Sequence, residues 1–424
     1  MRGNAANWLD LATKVWNFRR DHLNAKESAE LVARTQDLRR LLREKADAGK
    51  LKLGIESLES VLSRTGGAIY PKTSLVENVE FFLVAAIVIL GVRSYFFQPF
   101  KIPTNSMWPS YYGMTADNIP PDKPAPGPLQ SAFRFLAFGA IRHSITSPHD
   151  GEIIVPLITY ADGNRHLLAV PRKGHTWLIF PAQVKEYTFY VNGDPASVEV
   201  PADFSGFDDV FFNTYFPNRE ALEEQIERTR QDGTLKVSYL ESSGYQVLWL
   251  PTGKMARAGQ PIVRFDILTG DQLFVDRVTY NFVRPSVGQG FVFRTDNIPD
   301  IVREYGAQYY IKRLIGVPGD QIEIREPAIY RNGAPITGSK AFELNANRAG
   351  LYRGYFNATH QESRFRMLFK GETITVPPNS YLALGDNSRD SFDGRFWGFV
   401  PARDVVGRPL FIYYPLTRRW GTAR

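Results

Sequence analysis

An uninterrupted apolar run splits this chain into two parts of different character. Phe81 to Val92 carries no charge, no proline and no polar side chain. A helix of that length rises about 18 Å, short of the ~30 Å hydrocarbon core of a bilayer. Extended from Val79 to Phe97 the segment is long enough. Glu80 and Arg93 then fall near its ends, where long side chains reach the interface, and Tyr95, Phe96 and Phe97 form an aromatic belt. A transmembrane anchor over residues 75–97 is the expectation, and a buried helix of a soluble protein is the alternative that hydropathy leaves open. Arg64 and Lys72 precede the span and Arg93 and Lys101 end or follow it, so charge bias does not fix its orientation. No apolar stretch of signal-peptide type follows Met1.

Residues 1–73 read as helical. Trp8, Leu11, Val15 and Phe18 recur at helical spacing, as do Leu31, Leu38, Leu41 and Leu42. Asn24 to Lys26 breaks the pattern into a pair, and Gly66-Gly67 with Pro71 ends it. The region holds 14 Lys or Arg against 9 Asp or Glu. A solvated helical hairpin fits this better than a DNA-binding or coiled-coil segment.

Beyond Phe97 the pattern becomes mainly β, so that 98–424 reads as a β-rich domain. Short Val, Ile, Phe and Tyr runs occur at Gly151–Val155, Thr176–Phe180, Gln289–Phe293 and Gln321–Arg325, between Gly, Pro and Asn turns. Asn192-Gly193 and Asn332-Gly333 are two-residue hairpin signals. Tyr190-Val-Asn-Gly-Asp-Pro and Tyr330-Arg-Asn-Gly-Ala-Pro echo each other, through partial duplication or a shared hairpin type. One helix, Asn218 to Gln231, interrupts the β pattern, and the proline-rich stretch 117–128 reads as a loop.

With 424 residues, 43% hydrophobic and 22% charged, the chain suits two or three globular domains. A net charge of +7 spread along the chain suits an anionic membrane surface and offers no basic stripe for nucleic acid. The absence of cysteine excludes disulfides and thiolate chemistry. No metal motif, Walker loop or dinucleotide fingerprint occurs, so no metal or cofactor is expected.

Three stretches carry candidate chemistry. Gln98 to Ser110 places Thr104 and Ser106 between Pro103 and Pro109, which stiffen the backbone and can hold a hydroxyl in place. Tyr310 to Asp320 reads as a strand ended by a Pro-Gly turn, with Tyr310, Lys312 and Leu314 on one face. If that face is buried, the lysine loses its charge more readily: an ordinary pKa near ~10.4 leaves about one amine in 2,500 neutral at pH 7. Gly385 to Val400 reads as a turn followed by a strand, with Ser391, Asp393 and Arg395 on one face. Taken alone, that is a hairpin with a surface ion pair.

In order and content the three stretches resemble the bacterial type I signal peptidases, or leader peptidases, which use a Ser–Lys dyad. The resemblance rests on Ser106-Met-Trp-Pro109, Gly270–Arg277, Tyr310-Ile-Lys-Arg313, Gly385–Arg395 and Val406-Gly-Arg408. It implies Ser106 as nucleophile and Lys312 as general base. Thr104 with the Ser106 N–H would form the oxyanion hole, Ser391 would orient the Lys312 amine, and Asp393 with Arg395 would support the site. It further implies secretory preproteins with small residues before the cleavage site as substrates, membrane lipid as a partner and the cytoplasmic membrane as location. The sequence departs from the family at Val287-Gly288-Gln289, which replaces a charged Arg-Gly-Asp turn, at Ser110 and Gly394, and above all in an insert over 113–264. The insert has no role assignable from its residues: a substrate-selecting lobe, a partner-binding lobe and a plain β extension all remain open. Two rival readings are a Ser-His-Asp hydrolase, for which His149-Asp150 is the available pair, and a membrane-tethered β module that binds exported proteins without catalysis.

Overall fold

The computed structural model describes residues 1–159, 165–176, 180–240, 244–360 and 364–423. It contains two compact units, Met1–Gly91 and Val92–Arg424. The first unit has three short helices where the sequence suggested two: α1 (Arg2–Arg19), α2 (Ala25–Arg43) and α3 (Ala48–Thr65). The expected break at Asn24 is a capping box, in which Asn24 Oδ1 accepts from Glu27 N and Glu27 Oε2 accepts from Asn24 N. The second break was hidden because neither Gly nor Pro marks it. Lys45 takes a left-handed φ of 51°, and Asp47 then caps α3.

Ala5, Leu9, Ala12 and Val15 of α1 pack on Leu31 and Leu38 of α2 and on Leu51, Ile55, Leu58 and Leu62 of α3. The buried stripe of α1 therefore lies one face over from the expected one, and Phe18 is exposed. A fourth helix, α4 (Ser74–Tyr95), contains the apolar run. Its most apolar window has a mean hydropathy of 2.2 and no residue of it is buried. At 1.5 Å per residue it is about 33 Å long, enough to cross a bilayer. Glu80 is ion-paired with Lys72 near the helix start.

The second unit is built from antiparallel sheets, as the mainly β reading anticipated. Its central sheet runs in the order Phe97–Lys101, Gln272–Asp276, Val405–Tyr414, Gly290–Arg294, Tyr309–Gly316, Ser380–Leu384 and Val400–Pro401. A four-stranded sheet centred on Gln321–Arg325 and Ala328–Arg331 packs beside it through Ile322, Ile324 and Leu382. The strand entering from the apolar helix pairs Phe97 with Asp276 and Lys101 with Gln272. The two ends of the insert thus leave one antiparallel pair side by side, which is how a large segment can be accommodated without disturbing the host sheet.

Within the insert, Thr115–Asn118, Ile141–Thr146 and Pro261–Leu268 form one sheet, and a seven-stranded sheet surrounds Gly151–Thr159, Phe180–Val191 and Gln246–Ala256. Asn192-Gly193 and Asn332-Gly333 form the expected hairpin turns, both residues of each having positive φ. The two echoing hexapeptides share this turn, one in each lobe. The Asn218-capped helix Arg219–Gln231 is present, with Leu222 and Ile226 buried. Helices at Pro128–Phe138, Phe207–Tyr215, Pro299–Tyr305 and Lys340–Ala346 were not anticipated. Strands flank the expected run Thr176–Phe180, and residues 177–179 lie outside the described ones.

Candidate active site

Ser106 sits on a loop that the rest of the domain fastens from several sides. Ile102 N donates to Asp271 O, Asp271 N donates to Tyr112 O, and Tyr112 N donates to the Asp271 carboxylate. Asn105 bridges the loop's two arms, its side chain bonding both Gly113 N and Met114 O. A side chain at Gly270 would meet Ile102 O at 1.9 Å, and one at Gly113 would meet the Thr104 carbonyl carbon at 2.3 Å. Both glycines are therefore needed for the close approach. From the opposite side, Asn387 N donates to Ser106 O and Asn387 Nδ2 donates to Asn105 O. Met107, which adjoins the nucleophile candidate, is fully buried against Ile102, Tyr111 and Leu273. It anchors the loop. Trp108 stays half-exposed beneath the Arg353 guanidinium.

Lys312 comes from the strand Tyr309–Gly316, where it faces Phe291 across the pair. The expected one-face burial is exceeded, since every residue from Lys312 to Gly316 is buried. Lys312 itself is 4% exposed and its Nζ donates to Ser106 Oγ at 2.6 Å. Burial lowers its pKa from 10.5 to about 8. Asp393 and Asp386 push it back up, and Arg395 lowers it further. Nothing in the local sequence states this burial, which depends on strands on both sides.

Thr104 is exposed at the wall of a cleft of about 290 Å³ that opens on Ser106 and Lys312. Ser391 is 4% exposed, and its Oγ has no hydrogen-bond partner among the described residues. It lies beside Ser106 all the same: a side chain at Gly385 would strike Ser391 Oγ at 2.1 Å and Ser106 O at 2.5 Å. The Lys312 amine is turned to Ser106, and the bond from Ser391 to Lys312 is not formed in this structure.

Asp393 and Arg395 are ion-paired at 2.8 Å, but the pair is wholly buried rather than on the surface. The strand expected here is replaced by a 3₁₀ turn at Ser388–Asp390 and a short helix Gly394–Trp397. Asp393 caps that helix through Arg395 N and also accepts from Gly385 N, and this turn chemistry outweighs the period-two pattern. Gly394 has no room for the side chain that the resemblance leads one to expect, because a Cβ would meet Ala383 O at 2.9 Å. The altered turn at 287–289 survives without its charges, since Gly288 supplies a φ of 95° and Gln289 accepts from Tyr280.

A second buried pair had no assigned role in the sequence reading. Arg313 Nη2 lies 2.5 Å from Asp386 Oδ2, with both side chains essentially unexposed. Ser110 and Tyr355 also donate to Asp386, and Arg313 donates to Gly288 O. The signal was present in the adjacency of Arg313 to Lys312 and of Asp386 to Gly385, but which charge meets which is decided by the sheet. His149, the histidine of the Ser-His-Asp alternative, is instead paired with Asp194 at the surface of the insert.

A serine hydroxyl and a lysine amine buried within hydrogen-bonding distance on an antiparallel β scaffold can act chemically as nucleophile and base. Residues 263–414 match the family described as signal peptidase, peptidase S26. The matched span contains Lys312 and the Gly385–Arg395 stretch and excludes Ser106 and most of the insert. A probable signal peptidase I-1 of Synechocystis sp. is 30% identical over 155 residues, covering 36% of this chain and 66% of the relative. A signal peptidase I of Leptolyngbya laminosa is 27% identical over 148 residues, covering 35% of this chain and 62% of the relative. The chain thus spans less than two thirds of these relatives. A crystal structure of a signal peptidase I from Enterococcus faecalis matches at 26% identity, with 30% of this chain, 97% of that one and a TM-score of 0.21.

Proposed function

We propose that the chain is a membrane-tethered serine endopeptidase that removes signal peptides from secretory preproteins through an acyl-enzyme. The observation that carries this reading is the 2.6 Å contact between Lys312 Nζ and Ser106 Oγ inside a buried site. A neutral Lys312 amine takes the Ser106 proton while Oγ bonds to the scissile carbonyl carbon. The resulting ammonium gives that proton to the departing amine as the C–N bond breaks, leaving the acyl-enzyme. Water then loses a proton to Lys312 and releases the acyl group, restoring Ser106. Thr104 Oγ1 and the Ser106 N–H are assigned to the developing oxyanion. Ser391 orients the Lys312 amine once its free hydroxyl turns to it, and Asp393 with Arg395 holds the turn that carries Ser391.

The substrate is an extended segment with small residues before the scissile bond, held by β-addition in the cleft beside Tyr309 and Tyr310. The apolar helix α4 tethers the enzyme to the cytoplasmic membrane, with the β domain on the extracytoplasmic side. Cleavage of a precursor bearing an Ala-x-Ala site tests the reading. Ser106→Ala and Lys312→Ala each lower the rate by about 10³-fold or more while the fold is retained. Undiminished cleavage in either variant overturns the dyad, and an inert wild type toward all such precursors favours a non-catalytic module.

A further inference from the structure

The insert reaches the cleft. Asp203 lies just beyond the insert strand Asp194–Pro201 and is part of the wall of the same cleft as Ser106 and Lys312. Both of its neighbours are fastened. Ala202 N donates to Gln183 O, while Phe204 is fully buried and stacks on Phe265. With the backbone pinned on each side, the exposed carboxylate at position 203 is presented by a rigid lobe rather than a loose loop. Its charge acts on Lys101 and on Tyr310 across the cleft, and Asp203 forms no ion pair among the described residues. On the helix Phe207–Tyr215 that follows, Asp209 lies within the field of Asp208, Asp390 and Arg353.

Four ionisable side chains face the cleft besides the tyrosines: Lys101, Asp203, Lys312 and Asp390. Lys312 is turned inward to Ser106, and Asp390 is shared with Arg353 at 3.7 Å. Lys101 feels the Asp203 charge across the cleft but forms no salt bridge with it among the described residues, which leaves Asp203 as the carboxylate able to meet a cation on an extended peptide.

We infer that Asp203 is a specificity-determining residue contributed by the insert, selecting substrates with a Lys or Arg side chain near the scissile bond. This rests on the peptidase reading of the site and adds to it a preference in charge that small-residue recognition does not supply. An exposed carboxylate of this kind is worth up to about fivefold per favourable contact.

The test uses otherwise identical precursor peptides carrying Lys, Gln or Glu at each position flanking an Ala-x-Ala site. Cleavage by the full chain and by Asp203→Asn is measured as kcat/KM. Binding of the same peptides to Ser106→Ala and to Ser106→Ala/Asp203→Asn is measured in parallel. At one or more positions the parent prefers Lys over Glu by about fivefold or more, and Asp203→Asn brings that ratio to near unity with the Gln peptide unchanged. A Lys/Glu ratio that is flat at all positions, or that survives Asp203→Asn, overturns the inference. Charge discrimination in binding with no cleavage at all supports Asp203 while rejecting the peptidase reading.

Discussion

The core of the insert and the surroundings of Ser106 in the host bury opposite kinds of side chain. The insert's core is apolar and ring-rich, with Val155, Leu157, Phe189, Phe207, Phe211, Leu250 and Phe265 nearly or wholly excluded from solvent. Its buried Asp266 is met by both Arg134 and Arg142. Around Ser106 the chain instead buries Lys312, Arg313, Asp386, Asp393 and Arg395 together. Apolar burial stabilises in proportion to the area taken from water, whereas each buried charge costs desolvation that its partners only offset. The insert's interior is held mainly by apolar burial. The host sheet gives up some of that stability to fix a lysine beside a serine.

The sharpest way to break this contrast is to remove one member of a buried pair. Arg313→Met leaves Asp386 buried without its counter-charge, and denaturant unfolding should show a loss of about 3–5 kcal/mol. Adding Asp386→Leu to the same chain should recover most of that loss. A single variant as stable as the parent would mean that water reaches the pair.

In the insert the same measurement should respond to volume instead. Leu250 is fully buried, and Leu250→Ala should cost about 3 kcal/mol through lost apolar contact and the cavity left behind. Because the residue belongs to the apolar core and not to the cleft wall, kcat should stay within about twofold of the parent. A loss of kcat comparable to that of Lys312→Ala would show that the lobe's packing and the dyad are one cooperative element.

The smallest expected effect lies in the N-terminal unit. Asn24→Ala removes half of a capping box on an exposed helix end and should cost about 1 kcal/mol in melting of that unit, with no change in cleavage rate. Full retention of stability would show that packing of Leu31 and Leu38, rather than the cap, fixes the start of α2.

The sequence singled out Ser106 between prolines, Lys312 in an apolar strand, and Ser391, Asp393 and Arg395 at alternate positions, and of these the structure brings Ser106 and Lys312 within hydrogen-bonding distance. What those patterns could not give was the third dimension. The Asp393–Arg395 pair reads the same on a surface hairpin as in a core, and its burial depends on Ser388 and Phe356, whose oxygens accept from Arg395. The Arg313–Asp386 pair is set by strand order. Asp203 could not be placed at the cleft from sequence, because an insert's position relative to its host is invisible until both are folded. At the backbone level, hairpins announced by Asn-Gly were read correctly. The break at Lys45 was missed because the left-handed residue there is a lysine.

The dyad is tested most directly by the pH dependence of kcat/KM for a precursor whose own groups do not titrate between pH 6 and 10. An amine can act as a base only when neutral, and burial lowers the Lys312 pKa to about 8. Activity should therefore rise with pH through a single ionisation near 8 and then level off. The sign for stability follows from the same shift. Between about pH 8 and 10.5 the unfolded chain holds a proton at Lys312 that the folded chain has released, so the residue's contribution to stability increases with pH across that window and is at its least favourable below 8. A rate profile rising near pH 8 is the expected result. A profile flat from pH 6 to 10, or rising only where an ordinary exposed lysine titrates, would contradict a buried Lys312 acting on Ser106.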